Sequence, residues 1–332
     1  MLEESREIME RQLKQMVRGW LPSVEEALAE TEEAGRAAAL AQRFAPGFPM
    51  AYRNGAGPAE AAIDIRRLHG LSGPGDKSIR IYRNEEDSAE RLRLKLYSQD
   101  VVALSDAVPA FENFGFRIID EMTTPVDGGA LGHVQRFVLE LPPGGDAEAV
   151  IARADIVTEA IAQVLEGVAE DDRFNELVVT AGIVPRSAVL FRALFRYLRQ
   201  TGMAYSMATF ADTLRREQEI ARQLVTLFEA LHDPKSRADA PARVAQAQQA
   251  IDAGLEKVSA IDEDRVLRLL RAVITATLRT NFFSTAAAEA LAFKLDSAKV
   301  PGLHAPLPWR EIWVYSPRVE GIHMRAGPVA RG

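Results

Sequence analysis

Three arginines near the C-terminus have the residue type and spacing to bind an anion. Arg318, Arg325 and Arg331 alternate with glycines in the stretch SPRVEGIHMRAGPVARG. A guanidinium carries a rigid fork of donors that fits a carboxylate, and glycine lets the backbone approach the same anion closely. Two interpretations stay open from the residues alone. The arginines either bind carboxylates or form ion pairs with Glu311 and Glu320 across a small sheet.

Histidine is the other residue type with chemistry to consider. The five histidines occur singly, at His69, His133, His232, His304 and His323. No two are four residues apart and no carboxylate cluster accompanies them, so we expect no metal site. His323 lies among the arginines and could orient a substrate carboxylate or a neighbouring loop. The alternative is a strand histidine that is hydrogen-bonded near a domain boundary.

Other types of site lack their motifs. Without cysteine there is no thiolate nucleophile and no sulfur-ligated metal. The stretch GLSGPGDKS at 70–78 has the composition of a phosphate-binding loop. However, Asp76 breaks the spacing, and 78–82 predicts a strand where a helix is needed. Gly55 and Gly57 lack the third glycine of a dinucleotide-binding turn. We therefore assign no catalytic, cofactor-binding or metal-binding residue in the chain.

Two strand patterns precede the arginines and would position them. They cover 291–295 and 311–315, and the prolines and glycine between them exclude a helix. Before them, residues 171–290 show helical periodicity throughout, which predicts a helical bundle. Pro185 opens one predicted helix, and single helices are predicted over 209–231, 240–258 and 262–280. We expect the strands to begin a domain that continues beyond the last residue.

The region 91–167 alternates between strand and helix patterns. Leucines alternate with charged residues from Arg91 to Leu96, which predicts a half-buried strand. Further strands are predicted over 116–122 and 134–141, with helices capped by Ser105 and Asp146. The order strand, helix, strand, strand, helix is that of a ferredoxin-like, split βαβ unit.

The N-terminal region predicts helices. Two are expected over 2–43, separated at Pro22, with Ser23 and Glu26 forming a capping box at the start of the second. A third helix over 58–68 follows a loop at 45–57, and the glycine-rich stretch 70–78 is expected to be a linker.

Several stretches of the chain resemble the large bacterial NAD-dependent glutamate dehydrogenases, in the order in which that family has them. YSPRVEGIHMRAGPVARG is similar to the segment that leads into the catalytic core of the family. The other similar stretches are 92–121, 171–183, 195–214 and 267–283. The resemblance covers nearly the whole chain, is weakest before residue 75, and involves chains several times longer than this one.

The resemblance implies an enzyme that oxidises L-glutamate to 2-oxoglutarate and ammonia, with NAD as the hydride acceptor. It implies that Arg331 and Gly332 border the substrate cleft, and we add Arg318, His323 and Arg325 to that edge. The proton-transfer residues and the NAD site would lie beyond residue 332, so we expect this piece to be regulatory or architectural and inactive alone. We also expect a homo-oligomer. The ACT-like module either joins subunits, which is the interpretation that we favour, or binds an amino-acid effector. The alternative function is a free-standing regulatory or scaffolding protein that binds an amino acid.

Composition bounds the remaining expectations. The chain is 47% hydrophobic and 26% charged, as soluble globular proteins are. Its net charge of −7 argues against a nucleic-acid partner. No apolar run is long enough for a membrane span, and the N-terminus lacks a signal-peptide pattern, so we expect a cytoplasmic protein. The predicted fold class is α+β, in four parts: N-terminal helices (1–75), an ACT-like module (76–169), a helical bundle (170–290) and the truncated start of a catalytic domain (291–332).

Overall fold

The computed structural model describes residues 19–236 and 238–329. They form two compact units, one from residues 19–112 and 116–168 and the other from residues 113–115 and 169–329. The predicted α+β class is confirmed: N-terminal helices, a four-stranded antiparallel sheet with helices, a helical segment and a second antiparallel sheet follow one another. None of the helices in the described part of the chain is long and apolar enough to cross a membrane.

Four helices open the first unit: α1 (Trp20–Ala29), α2 (Ala34–Phe44), α3 (Met50–Gly55) and α4 (Pro58–His69). The prediction that Pro22 ends a helix is wrong, because Pro22 lies in the first turn of α1, where a missing N–H is tolerated. The predicted capping box is also wrong: Ser23 lies inside α1 and its hydroxyl donates to Gly19 O (2.9 Å). The helix predicted before Pro22 falls mainly outside the described residues.

The predicted third helix is confirmed as α4, but the loop predicted at 45–57 contains α3. Buried apolar side chains of these helices form one core with the end of the following sheet. Leu28, Phe44 and Ile65 are buried there, and Trp20 Nε1 donates to Ala45 O (2.8 Å). The N-terminal helices therefore pack as a layer on the sheet.

The elements of the first sheet region are β1 (Ser78–Tyr82), β2 (Arg91–Ser98), α5 (Leu104–Asn113), β3 (Arg117–Pro125), β4 (His133–Glu140), α6 (Ala147–Ile151) and α7 (Ala154–Leu165). The strand order is β1-β2-β4-β3, and every neighbouring pair is antiparallel. β4 lies between β2 and β3, which α5 connects, so the predicted split βαβ arrangement is confirmed. The other neighbour of β2 in the sheet is β1, which precedes β2 in the chain.

The two predicted caps of this region have different outcomes. The carboxylate of Asp146 accepts hydrogen bonds from Glu148 N and Ala149 N, which confirms it as the N-cap of α6. The single helix predicted after it is two helices, α6 and α7. Ser105 does not cap α5, because α5 already begins at Leu104 and the Ser105 hydroxyl bonds to the Asp106 carboxylate instead.

The second unit begins with a series of helices: α8 (Glu176–Thr180), α9 (Pro185–Gln200), α10 (Met207–Arg216), α11 (Gln218–His232), α12 (Ala240–Leu255) and α13 (Ile261–Ala276). Pro185 opens α9 as predicted. The single helix predicted over 209–231 is α10 and α11. Glu217, with φ −100° and ψ 51°, interrupts the helical backbone, and Ser206 caps α10 by accepting from Thr209 N (3.1 Å).

The second sheet contains β5 (Thr277–Thr280), β6 (Leu291–Leu295), β7 (Arg310–Tyr315) and β8 (Glu320–Arg325). Its strands pair in chain order and are all antiparallel. The strands predicted over 291–295 and 311–315 are confirmed as β6 and β7. The prediction that 171–290 is wholly helical is wrong, because α13 ends at Ala276 and the next residues form β5.

Candidate functional site

The second sheet has one buried face and one partly exposed face. Alternation along β6 and β7 buries Phe293, Trp313 and Tyr315 in the core of the second unit. Trp313 Nε1 donates to Ala193 O (3.1 Å), which ties β7 to α9. The side chains that alternate with these point to the other face, where the candidate site lies.

Two hydrogen bonds to carboxylates fix the buried face. Tyr197 OH donates to Glu311 Oε2 (2.5 Å), and Tyr315 OH donates to the Glu170 carboxylate. Burial, together with the bond to Glu311, raises the pKa of Tyr197 far above its usual value, so the phenol stays protonated as the donor. Burial also raises the pKa of Glu170, although Arg192 acts in the opposite direction. These groups hold β7 in place rather than contacting solvent.

Basic side chains collect on the other face. Strand register aligns Arg279, Lys294 and His323 in one row, with Ile312 between Lys294 and His323. In the next row Arg310 lies directly opposite Arg325. Like charges opposite one another destabilise a sheet unless something compensates.

Trp309 and Asp296 provide that compensation. The cations of Arg310, Arg325 and Lys294 lie 4.5, 5.8 and 6.0 Å from the centre of the Trp309 ring. Cations at such distances are attracted by the ring. Arg310 also donates to Asp296 Oδ1 (2.9 Å). Among the described residues, Arg325 donates only to a backbone oxygen, Pro328 O (3.3 Å), which leaves most of its donors available to an anion.

The structure brings together part of the predicted substrate-cleft edge. His323 and Arg325 share the exposed face, while Arg318 is exposed in the turn between β7 and β8. Arg331 and Gly332 lie outside the described residues. Among the described residues, the alternative ion pairs do not form: Glu311 is buried and bound by Tyr197, and neither Arg318 nor Arg325 pairs with it or with Glu320.

Sequence reasoning missed four members of the face: Arg279, Lys294, Trp309 and Arg310. The pairing of strands, and not proximity in sequence, brings them to His323 and Arg325. A signal was present in the dipeptide Trp309-Arg310, an aromatic and a cation at the start of a predicted strand. The resulting surface can hold one or more carboxylates by guanidinium and ammonium groups.

Metal and cofactor chemistry find no support in the described residues. Within 19–236 and 238–329, no group of three or more His, Asp or Glu side chains could hold a metal ion. Both sheets of that region are antiparallel. The glycine pair Gly144-Gly145 between β4 and α6 follows an antiparallel strand and lacks the spacing of a dinucleotide-binding turn. Dinucleotide sites are built on parallel strands with such a turn. The described residues therefore do not fit NAD.

A second polar cluster in this unit has a structural role. Arg192 is only 1% exposed, and its guanidinium makes two hydrogen bonds to Asp172 (2.6 and 2.7 Å) and one to Asn175 (3.0 Å). Asp172 also accepts from Phe174 N (3.0 Å) and so fixes the entry to α8. The charges are satisfied and enclosed, which suits packing and not ligand binding.

Four family descriptions match successive parts of the chain. Residues 27–71 match "Glutamate dehydrogenase, helical motif 2", and residues 76–152 match "Glutamate dehydrogenase, ACT3 domain". Residues 169–234 match "Glutamate dehydrogenase, helical motif 3", and residues 250–332 match "Bacterial NAD-glutamate dehydrogenase, catalytic domain". The basic face of the second sheet therefore lies within the match to the catalytic domain.

Whole-chain comparisons agree with these matches. Proteins named NAD-specific glutamate dehydrogenase from Pseudomonas aeruginosa and Halomonas elongata are each 33% identical to this chain, in alignments that cover 98% of it. One from Mycobacterium tuberculosis is 35% identical over 96% of it. The chain spans only about a fifth of the length of these curated relatives (20–21%). The chain therefore corresponds to a portion of the large bacterial NAD-specific glutamate dehydrogenases, covering helical motifs, the ACT3 domain and part of the catalytic domain.

Proposed function

We propose that the chain works as part of an NAD-dependent glutamate dehydrogenase, which converts L-glutamate, NAD and water to 2-oxoglutarate, ammonia and NADH. The single observation that carries this proposal is the basic face around Trp309, which lies in the part similar to the catalytic domain. Both glutamate and 2-oxoglutarate carry two carboxylates, which guanidinium groups bind well. The match over 250–332 favours this function over a free-standing amino-acid-binding protein.

In this proposal the residues contribute positioning and charge, not proton transfer. Arg325 and His323, with Arg318, Arg331 and Gly332, form one edge of the substrate cleft. Lys294 and Arg310 support that edge through Trp309. The rest of this chain then has an architectural or regulatory role. Alone, it should form no NADH from glutamate and NAD, and glutamate-dependent NADH formation by the isolated chain would contradict that assignment.

A chimaera tests the role of the basic face. The segment of the Pseudomonas aeruginosa enzyme that aligns with this chain is replaced by it, and glutamate-dependent NADH formation is measured. We expect an active chimaera in which Arg325→Gln raises the KM for glutamate by about tenfold, the effect of one lost charge-assisted hydrogen bond. Arg265→Gln, on the exposed side of α13, is the matched control and should leave the KM unchanged. A folded but inactive chimaera, or equal effects of both substitutions, would count against the proposal.

A further inference from the structure

A row of three cations crosses the first sheet. The strand register places Arg80, Lys95 and Arg136 directly opposite one another on β1, β2 and β4, with Met122 next in line on β3. Arg93 lies in the neighbouring row of the same face. Such a row repels itself unless negative charge is supplied from outside the sheet.

Helix α4 supplies part of that negative charge. Glu60 accepts hydrogen bonds from Arg80 (2.6 Å) and from Lys95 (2.5 Å). Asp64 is fully buried and accepts from Lys95 (2.6 Å) and from the Tyr97 hydroxyl (2.7 Å). This network satisfies one end of the row and forms the floor of a pocket.

The pocket lies between that floor and the residues around α3, and its volume is about 420 Å³. Ligand sites for small molecules generally start at roughly 300 Å³. Its charged lining comprises five cations and one carboxylate, namely Arg80, Arg83, Arg93, Lys95, Arg136 and Glu60. Glu60 already accepts from two of these cations, so the lining carries a clear excess of positive charge.

Arg136 is the most weakly paired of the lining arginines. Its Nε atom is buried and has no hydrogen-bond partner among the described residues. The Nε atom of Arg83 is buried in the same way, but the other nitrogens of Arg83 bind the Glu148 carboxylate and donate to Asp87 O (2.9 Å) and Ser88 O (3.0 Å). The carboxylate paired with Arg136 is Asp120, at 3.7 Å and 58% exposed, which is a weak interaction in water. By contrast, Arg93 is held by Asp87 through three hydrogen bonds of 3.3, 2.9 and 2.8 Å. Arg136 is therefore the member of the row with the most capacity for an additional anion.

We propose that this pocket binds a small organic dianion through Arg136, and that the other cations of the lining supply additional positive charge. Carboxylates and phosphates both fit guanidinium donors, so a dicarboxylate and a phosphate monoester are the two sources of this chemistry. An amino acid fits less well, because Glu60, the only carboxylate of the lining, is already occupied by Arg80 and Lys95. The cations of the site lie in the part similar to the ACT3 domain, whereas Glu60 and the residues around α3 lie in the part similar to helical motif 2. The site does not depend on the proposed catalytic role.

The test is a thermal-shift titration of the full chain. Succinate and inorganic phosphate are titrated separately at constant ionic strength, with sodium chloride as the reference. At least one should raise the melting temperature saturably, since a ligand that binds only the folded state stabilises it. A response to succinate alone identifies dicarboxylates, and a response to phosphate alone identifies phosphate esters. No rise beyond the chloride reference overturns the proposal.

Two substitutions locate the effect. Arg136→Gln removes a cation, and Met122→Glu places a carboxylate beside it without breaking an ion pair. Each should raise the apparent Kd of the anion by roughly ten- to a hundredfold, since hydrogen bonds to charged groups contribute about 1.5–3 kcal/mol. Arg117→Gln is the matched control: it lies on β3, is 77% exposed and does not line the pocket, so its Kd should stay unchanged. A rise that survives both pocket substitutions would place the anion elsewhere.

Discussion

Arg192 shows how a charged side chain is accommodated inside the second unit. Its bidentate contact with Asp172 compensates for the loss of water around both charges. Removing one member of such a pair costs more than removing both, because an uncompensated charge stays buried. The same principle applies to Lys95, which is 4% exposed and held by Glu60 and Asp64.

Asp172→Ala should lower the free energy of unfolding by about 3 kcal/mol, the usual cost of breaking a buried ion pair. Urea denaturation followed by circular dichroism measures it. Replacing Arg192 with Met in the same variant should recover part of the loss, because the unpaired charge is removed. Glu219→Ala, which breaks an exposed pair with Arg222, is the control and should cost less than about 1 kcal/mol. Equal losses in the two single variants would show that Arg192 is not the cause.

Glu60 should make stability depend on pH. Burial alone would raise the pKa of Glu60, but hydrogen bonds from Lys95 and Arg80 outweigh it and lower the pKa below its usual value. A carboxyl group with a lowered pKa in the folded state stabilises the protein above its unfolded pKa, about 4.3 for Glu. That stabilisation is lost as the pH falls through the lower, folded pKa.

The stability difference between the wild type and Glu60→Gln should therefore be constant above about pH 5 and narrow below about pH 4.3. Urea denaturation of both proteins across this range measures the difference. A difference that stays constant or widens in acid would show that Glu60 is not held as a charged acceptor.

At the scale of elements, a polar residue near a helix start is a cap only if the helix begins immediately after it. Asp146 and Ser105 were predicted as caps for the same reason, yet only Asp146 accepts bonds from the first turn. α5 starts before Ser105, at Leu104. Local sequence therefore identifies the residue type of a cap more reliably than the boundary itself.

Asp146→Ala should lower the free energy of unfolding by about 1 kcal/mol, the usual contribution of an N-cap. Ser105→Ala should change it by less than about 0.5 kcal/mol, as exposed substitutions generally do. Thermal or urea denaturation distinguishes the two. Similar losses in both variants would mean that Ser105 also caps its helix in solution.

The strands of the second sheet were predictable to different degrees. β6 and β7 alternate apolar and polar residues, and so their pattern was visible. β5 continues directly from α13 with Thr277, whose hydroxyl still bonds to Val273 O, so the sequence shows no break between helix and strand. β8 is an edge strand with mostly exposed residues and has no alternation to detect. Lys294 and Arg310 lie on the two strands that were predicted, but they meet His323 and Arg325 only through pairing with β8, which was not predicted. For that reason the sequence pointed only to the residues of the C-terminal stretch itself.

At the scale of the whole molecule, the order of regions was predictable because each has a distinct periodicity. Helices, a split βαβ sheet, more helices and a second sheet follow in the expected order. The boundaries between the four predicted regions, after residues 75, 169 and 290, stay predictions. The periodicity of the sequence does not show which distant strands pair, because strand register depends on tertiary contacts. The cation row of the first sheet exists only through that pairing.

The described residues offer no dinucleotide-binding unit, so the isolated chain should not bind the nicotinamide cofactor. Titration with NADH, followed by its fluorescence, should give no saturable change at millimolar concentrations. Thermal stability should likewise be unaffected by NAD. Saturable binding would show that a site exists outside the antiparallel sheets described above.

The upstream origin of β1 affects where this region can be divided. The match to the ACT3 domain ends at residue 152, before α7, yet α7 packs beside β1 and buries Val157 and Ile161. A fragment that stopped at 152 would uncover Ile79 and Ile81, and one that began at β2 would leave a long unpaired strand edge. Exposed apolar patches favour association, and unpaired strand edges recruit strands from other molecules. Either fragment would therefore be prone to self-association, and a well-behaved piece has to include both β1 and α7.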